Sequence, residues 1–347
     1  MSETETISLV IGGGGFIGSH LCLSLLKAGH IVIPVDKQFP HLFKMPTNEK
    51  FQPIYLDLSG LKEDLSNCPI AKEIVSAIDR PGWRDCLNTP NNKICYDLNI
   101  FNLACESNTM NKDFTSHVTN TEKIIKLVNE MHSLIFAMGI YGRRNVHIEK
   151  STHIFASSAS IYGNTSMYNE WPFKETQSPN PESVYAWSKL RAESLFSPRL
   201  RDKLKIFRFF NVFGEFEGHK IAITPNGEIQ TYQSKVFQMR EAAKYGRESV
   251  LFGSGDEKRD FISVDTVCDV LTNHDKKEPG IYNLGSGRAT SFNEVKEILL
   301  TKYPKAKFTY KECPYSFFQK YTCADMSKSP EIIPEVEFQK LRHFLLA

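Results

Sequence analysis

The chain lacks any apolar run long enough to cross a membrane. Its longest apolar runs, such as residues 21–26, are far shorter than the roughly 20 residues that a transmembrane helix needs. The first six residues are polar and acidic, so no signal peptide is predicted. The formal net charge of the 347 residues is only +2, which gives no overall reason to expect a polyanionic partner. We therefore expect a cytoplasmic protein that binds neither membrane nor nucleic acid.

Paired cysteines are also missing. The 8 cysteines are scattered, none forms a C-x-x-C pair, and no cysteine–histidine cluster has the spacing of a zinc site. Scattered cysteines are typical of a reducing compartment rather than of a disulfide framework. A chain of this length can bury a large core without disulfides or a structural metal. We expect no bound metal.

Alternating strand and helix patterns predict the fold. Residues 7–11 have the pattern of a buried strand, a glycine turn follows, and residues 16–27 have the pattern of a helix that Gly29 ends. Further strands are predicted at residues 31–35, 51–58, 98–104, 152–157 and 204–210, and further helices at residues 119–132, 183–196 and 292–303. Such alternation predicts an α/β fold with a Rossmann-type doubly wound parallel sheet. Residues 60–97 give no clear pattern.

The regular alternation ends near residue 210. We interpret residues 1–210 as a dinucleotide-binding Rossmann domain and residues 211–347 mainly as a smaller C-terminal α/β substrate-binding region. Residues 215–232 carry Gly, Pro and Asn, which predicts a long loop. Residues 261–285 again show strand and helix patterns, so this segment is expected to return to the core.

Three glycines between the first strand and helix predict a dinucleotide site. Gly12, Gly15 and Gly18 permit a tight turn and let backbone N–H groups approach a pyrophosphate at the helix N-terminus. A simple tight turn is the alternative, but the flanking elements and an acid at the end of the second strand match the expected context. Asp36 can accept hydrogen bonds from an adenosine ribose, which favours NAD, whereas Lys37 could neutralise the 2′-phosphate of NADP.

Tyr185 and Lys189 are four residues apart on a predicted helix, so both project from one face. A free tyrosine has a pKa of about 10, and a neighbouring ammonium favours its phenolate. Ser158 lies upstream at the end of a predicted strand, where its hydroxyl can share the hydrogen bond to a substrate hydroxyl. Each signal is weak alone, because a surface tyrosine, a solvated lysine and a capping serine would give the same pattern.

Six segments occur in the order typical of one protein family. They are GGGGFIGSH, SSASIYG, YAWSK, FRFFNVFG, KRDFISVDTV and NLGSGR, spread from residue 12 to residue 288. The chain resembles the extended short-chain dehydrogenase/reductases of the nucleotide-sugar epimerase group. The resemblance implies a homo-oligomer in which Ser158 is the hydroxyl partner, Tyr185 the acid/base and Lys189 the cofactor anchor.

The resemblance also implies further binding residues. Asn211 and Arg259 would hold the diphosphate of a nucleotide-diphosphate sugar. Gln238 and Phe318 stand where one group of epimerases within this family, described below, has a histidine and a tyrosine near the substrate. Phe252 is a further substrate candidate. The other positions expected to line the cofactor are Phe16, Ile17, Asp57, Leu58, Leu103, Ala104, Asn120 and Val212. For Asp57, a plain turn residue at a strand end is an equally good interpretation.

The sequence narrows the reaction. Dehydratases of this superfamily have Asp-Glu soon after the active-site hydroxyl residue, whereas Ala159 and Ser160 stand there in this chain, which favours epimerisation or reduction. The segment FRFFNVFGEFEGHK resembles the ADP-glycero-manno-heptose 6-epimerases, a group that favours NADP. In that group the lysine of E-G-H-K is a second acid/base, a role the resemblance implies for Lys220. A solvated loop lysine or a diphosphate clamp is the alternative for Lys220.

Other functions stay open. A UDP-hexose 4-epimerase shares every motif except E-G-H-K, a keto-sugar reductase would consume its cofactor, and a non-catalytic nucleotide-binding protein would need the fold alone. The segment after Lys220 is longer than in the heptose epimerases, which together with Gln238 and Phe318 leaves the sugar undecided.

Overall fold

A computed structural model describes the larger part of the chain. The described residues are 4–42, 45, 49–57, 94–104, 119, 121–127, 129, 146–164, 171–196, 198–217, 221–223, 229–231, 233–314 and 319–347.

Fourteen strands and six complete helices, numbered along the chain, are assigned in these residues. The strands are β1 (Glu5–Ile11), β2 (Ile31–Asp36), β3 (Ile54–Tyr55), β4 (Ile94–Asn102), β5 (Val146–Ser158), β6 (Leu204–Phe209), β7 (Asn211–Phe213), β8 (Ile221–Ile223), β9 (Ile229–Thr231), β10 (Glu248–Phe252), β11 (Lys258–Ser263), β12 (Gly280–Leu284), β13 (Ala289–Ser291) and β14 (Lys307–Lys311). The α-helices are α1 (Phe16–Lys27), α2 (Val184–Leu195), α3 (Lys235–Lys244), α4 (Val264–Thr272), α5 (Phe292–Lys302) and α6 (Pro334–Leu346). Residues 121–127 are also helical.

The central sheet has seven strands in the order β12-β6-β5-β4-β1-β2-β3. Each neighbouring pair is parallel. The chain runs outward from β1 to β3 and then crosses back to β4, so the strand order reverses between β1 and β4. Ligands of open parallel sheets bind at the carboxyl ends of the strands beside such a reversal. The predicted Rossmann-type α/β fold is confirmed.

Helices cover both faces of this sheet. One face carries an apolar cluster in which Leu9 of β1 packs with Ile125 of the helical residues 121–127 and with Phe196 at the end of α2. The other face packs Val10 and Phe101 against α1 and α4. Because the strands are buried on both faces, they form nearly continuous apolar runs, which is why the sequence shows them clearly.

The remaining elements form a smaller layer on the C-terminal side. A three-stranded sheet has the order β13-β11-β7, β10 pairs with β14, and α3, α5 and α6 enclose a third apolar cluster. β12 leaves this layer and pairs with β6, so it adds the last strand to the central sheet. The functional boundary at residue 210 stays a prediction.

Several predicted boundaries differ from the structure. The long loop predicted at residues 215–232 is wrong in part, because it contains the antiparallel pair β8–β9. The alternation of β-branched residues in Ile221–Ile223 and Ile229–Thr231 is the signal that this prediction missed. β3 spans two residues instead of eight, while β4 and β5 begin earlier than predicted. Of the helix predicted at residues 119–132, the described part is helical, and the rest lies outside the described residues.

None of the described helices is long and apolar enough to cross a membrane. Within the same residues, no group of three or more His, Cys, Asp or Glu side chains is arranged to hold a metal ion.

A buried histidine, His274, follows α4 and packs against the central sheet. The His274 carbonyl accepts a hydrogen bond from Lys205 Nζ at 2.6 Å, and its ring packs edge-on against Phe101 with centroids 5.7 Å apart. Burial lowers the pKa of His274 from 6.5 to about 4, and the nearby Lys205 charge adds to the effect. The folded protein therefore keeps His274 neutral at a pH where an unfolded chain binds a proton.

We predict that His274 makes the fold sensitive to acid. The free energy of unfolding should fall by up to about 3 kcal/mol as the pH drops from about 6.5 to about 4, because protons bind preferentially to the unfolded chain. Urea unfolding at several pH values measures this slope. His274→Gln should flatten it, and His343→Gln at an exposed position should leave it as in the parent. An unchanged slope in His274→Gln would contradict the assignment.

Candidate active site

The glycine turn between β1 and α1 has the geometry of a phosphate cradle. Gly12 has φ +88°, and its N–H donates to the Val35 carbonyl at 2.8 Å. A Cβ at Gly18 would lie 2.1 Å from the Gly12 carbonyl oxygen, so only glycine lets α1 start this close to the turn. Gly15 precedes α1 and provides no side-chain cap, which leaves the N–H groups of the first turn to a bound anion. This cradle fits a dinucleotide pyrophosphate.

Asp36 ends β2 beside the glycine turn. Its carboxylate accepts hydrogen bonds from the N–H groups of Gly14 at 3.1 Å and Gln38 at 3.4 Å. The carboxylate oxygens have further lone pairs that could accept from a ribose. Lys37 is exposed next to Asp36, so the neighbourhood can serve NAD or NADP.

Most of the other predicted cofactor positions surround the same turn. The Leu103 N–H donates to the Ile11 carbonyl at 2.9 Å, and the Ala104 backbone lies against Gly12. Phe16 and Ile17 begin α1, and Val212 lies on β7, which pairs with β11. Asp57 follows Leu56, whose N–H donates to the Asp36 carbonyl at 2.8 Å. Four predicted site residues lie outside the described residues, and their roles stay predictions: Leu58, Asn120, Lys220 and Phe318.

Ser158, Tyr185 and Lys189 come together where β5 meets α2. Ser158 ends β5, and its hydroxyl accepts the Ser160 N–H at 3.2 Å at the start of a short 3-10 helix. Ser183 caps α2 and places Tyr185 in its first turn. Lys189 Nζ donates to the Ala156 carbonyl at 2.7 Å and lies 5.9 Å from the Tyr185 ring centroid. Lys189 is only 2% exposed, and the surrounding residues hold its side-chain nitrogen in place beside the tyrosine.

A buried ion pair lies beneath this group. Arg208 of β6 donates to both oxygens of Glu193 at 3.1 Å and 2.8 Å, with side chains 4% and 7% exposed. The Ser157 hydroxyl donates to the same carboxylate at 2.5 Å. Glu193 follows Tyr185 by eight residues, so it lies on the same face of α2 as Tyr185 and Lys189. That spacing could have indicated Glu193, whereas Arg208 gave no comparable signal.

The ion pair continues into a polar network. Arg208 Nη1 donates to the Tyr162 hydroxyl at 3.0 Å, and that hydroxyl donates to Asn283 of β12 at 2.7 Å. Glu175 accepts the Asn283 N–H at 2.8 Å. Burial raises the pKa of Tyr162 to about 12, so Tyr162 stays a neutral donor. This side-chain network therefore joins β6 and β12 to α2, in addition to the backbone pairing that joins the strands to one another.

The predicted diphosphate residues lie on adjacent strands. Asn211 of β7 donates through Nδ2 to the Asp260 carbonyl at 3.2 Å, next to Arg259 on β11. Arg259 is buried, and its guanidinium carbon lies 5.7 Å from the Phe292 ring centroid. Burial lowers the pKa of Arg259 to about 10 and the Glu257 charge opposes this shift, so the guanidinium stays positive at neutral pH.

The other two described substrate candidates lie further along the chain. Gln238 of α3 donates through Nε2 to the Gln233 carbonyl at 2.9 Å. Phe252 ends β10, and α3 packs on β10. Their predicted contacts with a sugar stay predictions.

Asp260 is a residue that the sequence argument did not single out. Its fully buried carboxylate accepts the N–H groups of Ser286 at 2.6 Å, Gly287 at 2.9 Å and Ala324 at 2.9 Å. It therefore fastens the turn after β12 and the segment near residue 324 to β11, next to Arg259.

We predict that the Glu193–Arg208 pair stabilises the junction of α2 with the sheet. Glu193→Gln should lower the free energy of unfolding by about 3 kcal/mol, because it leaves the Arg208 charge buried with a neutral partner. Glu122→Gln is the matched control, since it removes the exposed Arg191 pair and should cost less than about 1 kcal/mol. Urea unfolding of both variants measures the difference. Equal effects would mean that the buried pair adds nothing.

Known proteins resemble the chain over nearly its full length. It is 29% identical over 334 residues to an ADP-L-glycero-D-manno-heptose-6-epimerase of Brachyspira hyodysenteriae, covering 92% of this chain and 89% of that protein. A UDP-glucose 4-epimerase from Thermotoga maritima, solved with UDP-glucose, matches with a TM-score of 0.72 at 22% identity. The match covers 98% of this chain and 97% of that chain.

A second solved structure is a UDP-N-acetylglucosamine 4-epimerase from Methanobrevibacter ruminantium. Its TM-score is 0.71 at 20% identity, with coverage of 99% of this chain and 98% of that one. The family model described as "NAD dependent epimerase/dehydratase family" matches residues 8–91 and 98–285. With its glycine cradle, its acid at the end of β2 and its Tyr185–Lys189 pair on α2, the chain belongs to the NAD-dependent epimerase/dehydratase family.

Proposed function

We propose that the protein is a nucleotide-sugar epimerase that oxidises its sugar transiently and reduces the keto-sugar again. The observation that carries this proposal is the placement of Ser158, Tyr185 and Lys189 at the carboxyl end of β5, with the glycine cradle at the end of β1 in the same sheet. A sensor or scaffold would need the cradle but none of these three side chains.

Tyr185 is the proposed acid/base. The Lys189 ammonium, held by the Ala156 carbonyl, stabilises a phenolate at Tyr185 electrostatically, so the phenolate can take the proton of the sugar hydroxyl. Ser158 orients that hydroxyl by hydrogen bonding. Bound NAD or NADP supplies the acceptor and the later donor of the hydride. When the sugar is reduced, Tyr185 or a donor on the opposite side of the carbonyl returns the proton.

Inversion of a carbon centre requires hydride to leave from one face of the carbon and to return to the opposite face of the resulting carbonyl. If the keto-sugar turns within the site, its other face would meet the hydride donor, and its oxygen would need a second proton donor at the new position. Lys220 is the proposed second donor, on the strength of the E-G-H-K segment that the chain shares with the heptose epimerases. Because the cofactor ends each cycle in its starting state, the reaction has no net redox change.

Elimination of water is the competing reaction within this family. It needs an acid and a base beside the active-site hydroxyl residue. In this chain the positions after Ser158 hold Ala159, which is buried, and Ser160, whose N–H bonds back to Ser158. Neither side chain can serve as a carboxylic acid, which supports epimerisation over dehydration.

The proposed substrate is an ADP-linked heptose, which the 29%-identical relative supports. Arg259 and Asn211 are the proposed diphosphate donors, since a diphosphate prefers charge-assisted hydrogen bonds, ideally from an arginine. The second candidate is a UDP-hexose, because Gln238 and Phe318 depart from the histidine and tyrosine of the heptose epimerases. We further propose a homo-oligomer.

We expect the purified protein to interconvert the two ADP-heptose epimers without added cofactor and without net change in NAD(P)H absorbance. The bound cofactor is released by denaturation and identified by mass, and a panel of ADP-heptoses and UDP-hexoses is then assayed. Turnover of UDP-hexoses alone would select the second candidate. Stoichiometric consumption of added NADPH would select a reductase.

Tyr185→Phe is the control within this experiment. It should abolish turnover and leave cofactor content unchanged, because it removes one hydroxyl and keeps the ring. Substantial remaining activity would refute the role of Tyr185. Absence of both cofactor and turnover in the parent protein would favour a non-catalytic role.

Lys220→Ala should stop epimerisation and spare a single oxidation half-reaction. The reason is that Tyr185 still serves one face of the keto-sugar, while the opposite face has lost its donor. Product analysis by NMR and single-turnover NAD(P)H absorbance separate the two steps. Lys244→Ala, at an exposed position of α3, is the control and should behave as the parent. Full-rate epimerisation by Lys220→Ala would rule out the two-donor mechanism.

A further inference from the structure

The glycine turn is flanked on two sides by segments that belong to different parts of the fold. On one side, a Cβ at Gly14 would lie 1.8 Å from the Gln38 carbonyl oxygen, so the segment after β2 runs directly against the turn. On the other side, a Cβ at Gly214 would lie 3.4 Å from the Phe16 ring, so the segment after β7 runs against the first residue of α1.

An aromatic stack joins these two flanking segments. The Phe216 ring lies between His20 of α1, with centroids 4.5 Å apart, and His41 of the segment after β2, with centroids 4.4 Å apart and planes 18° apart. Phe16 contacts His20 edge-on at 5.8 Å. The stack thus spans from the N-terminal part of α1 to the segment after β2.

Phe216 adopts an unfavourable backbone conformation to make this contact. Its φ is +72°, and it is the one non-glycine residue with positive φ in the described part of the chain. Bulky side chains rarely adopt this region, and where they do, the surrounding contacts hold them there. Such outliers cluster at ligand clamps and functional sites.

The neighbours of Phe216 are anchored independently. His20 Nε2 donates to the Glu215 carbonyl at 3.0 Å, and Arg240 of α3 pairs with the Glu215 carboxylate at 2.8 Å. The buried Glu217 carboxylate accepts the N–H groups of Gly214 at 3.2 Å and Ser234 at 2.7 Å. The backbone on both sides of Phe216 is therefore fixed without its ring, and the ring makes the contact with His41.

We propose that the His20–Phe216–His41 stack latches the segment after β2 to α1 and thereby slows release of the bound dinucleotide. The cradle would hold the pyrophosphate and Asp36 the adenosine ribose, so a bound dinucleotide would lie between the two parts that the stack joins. Separating those parts to release the cofactor breaks the ring contacts. The inference rests on dinucleotide binding and holds whichever sugar is the substrate.

A slow release suits an enzyme that returns its cofactor unchanged. A reductase must exchange NADPH for NADP at every turnover, whereas an epimerase loses nothing by keeping one molecule bound. The latch therefore favours a resident cofactor.

The test is the dissociation rate of NADH and of NADPH from the purified protein, followed by stopped-flow fluorescence on displacement with excess oxidised cofactor. Phe216→Gly should raise the rate about tenfold, because it removes the ring contacts while glycine keeps the positive φ. Phe216→Tyr keeps the ring and should release the cofactor at the parental rate. Tyr245→Ala, an exposed aromatic at the end of α3, controls for general loss of an aromatic side chain.

His41→Ala tests the same latch from its other side and should also speed release. The double variant Phe216→Gly/His41→Ala should be no faster than the faster single variant, because each change already breaks the contact between Phe216 and His41. Thermal unfolding of each variant checks that the fold is intact. Parental release by Phe216→Gly, additive effects in the double variant, equal acceleration by Tyr245→Ala, or a parent protein that binds neither dinucleotide would overturn the proposal.

Discussion

The buried contact between Arg208 and Glu193 fixes α2 on the central sheet, and the proposed chemistry depends on that junction. Tyr185, Lys189 and Glu193 lie four residues apart on one face of α2, and each has a different role. Glu193 binds the sheet through Arg208 and Ser157, Lys189 binds the Ala156 carbonyl, and Tyr185 is the residue proposed to contact a substrate. An ion pair with both partners out of water costs much desolvation energy, and good geometry with further hydrogen bonds offsets it. The principal effect of this ion pair is to position the end of β5 against α2, because Glu193 also binds Ser157, the residue before Ser158.

The sequence predicts those parts of the site that come from local patterns. The glycine turn, the acid at the end of β2 and the i, i+4 pair on α2 depend on neighbours in the chain, and residues 16–27 form α1 with the predicted bounds. Contacts across the fold leave no such local pattern. The pairing of Glu193 with Arg208 joins a helix to a strand, and the Phe216 stack joins three separate segments. The β8–β9 pair was predicted as loop because its strands are short and the turn-forming residues between them dominated the pattern.

Family membership and substrate choice depend on different parts of the chain. The six segments that carry the family resemblance lie on the turn between β1 and α1, at the end of β5, on α2, on β6 and β7, on β11, and at the end of β12. Three of the predicted departures from the heptose epimerases lie elsewhere, at Gln238, at Phe318 and in the lengthened segment after Lys220. This separation is expected of a superfold, where the scaffold holds the cofactor and the connecting segments select the ligand. It explains why the reaction class follows more directly from the sequence than the sugar does.

The return of β12 to the central sheet has a consequence for any attempt to divide the molecule. β12 pairs along β6 from Gly280 to Leu284, and Asn283 closes the polar network that reaches Arg208. A fragment that stopped at residue 210 would expose the edge of β6 and the apolar face of α1 that α4 covers. Open strand edges recruit other chains and promote aggregation. We therefore expect residues 1–210 and residues 211–347 to unfold together, and neither part to be exchangeable between relatives without the β12 strand that joins them.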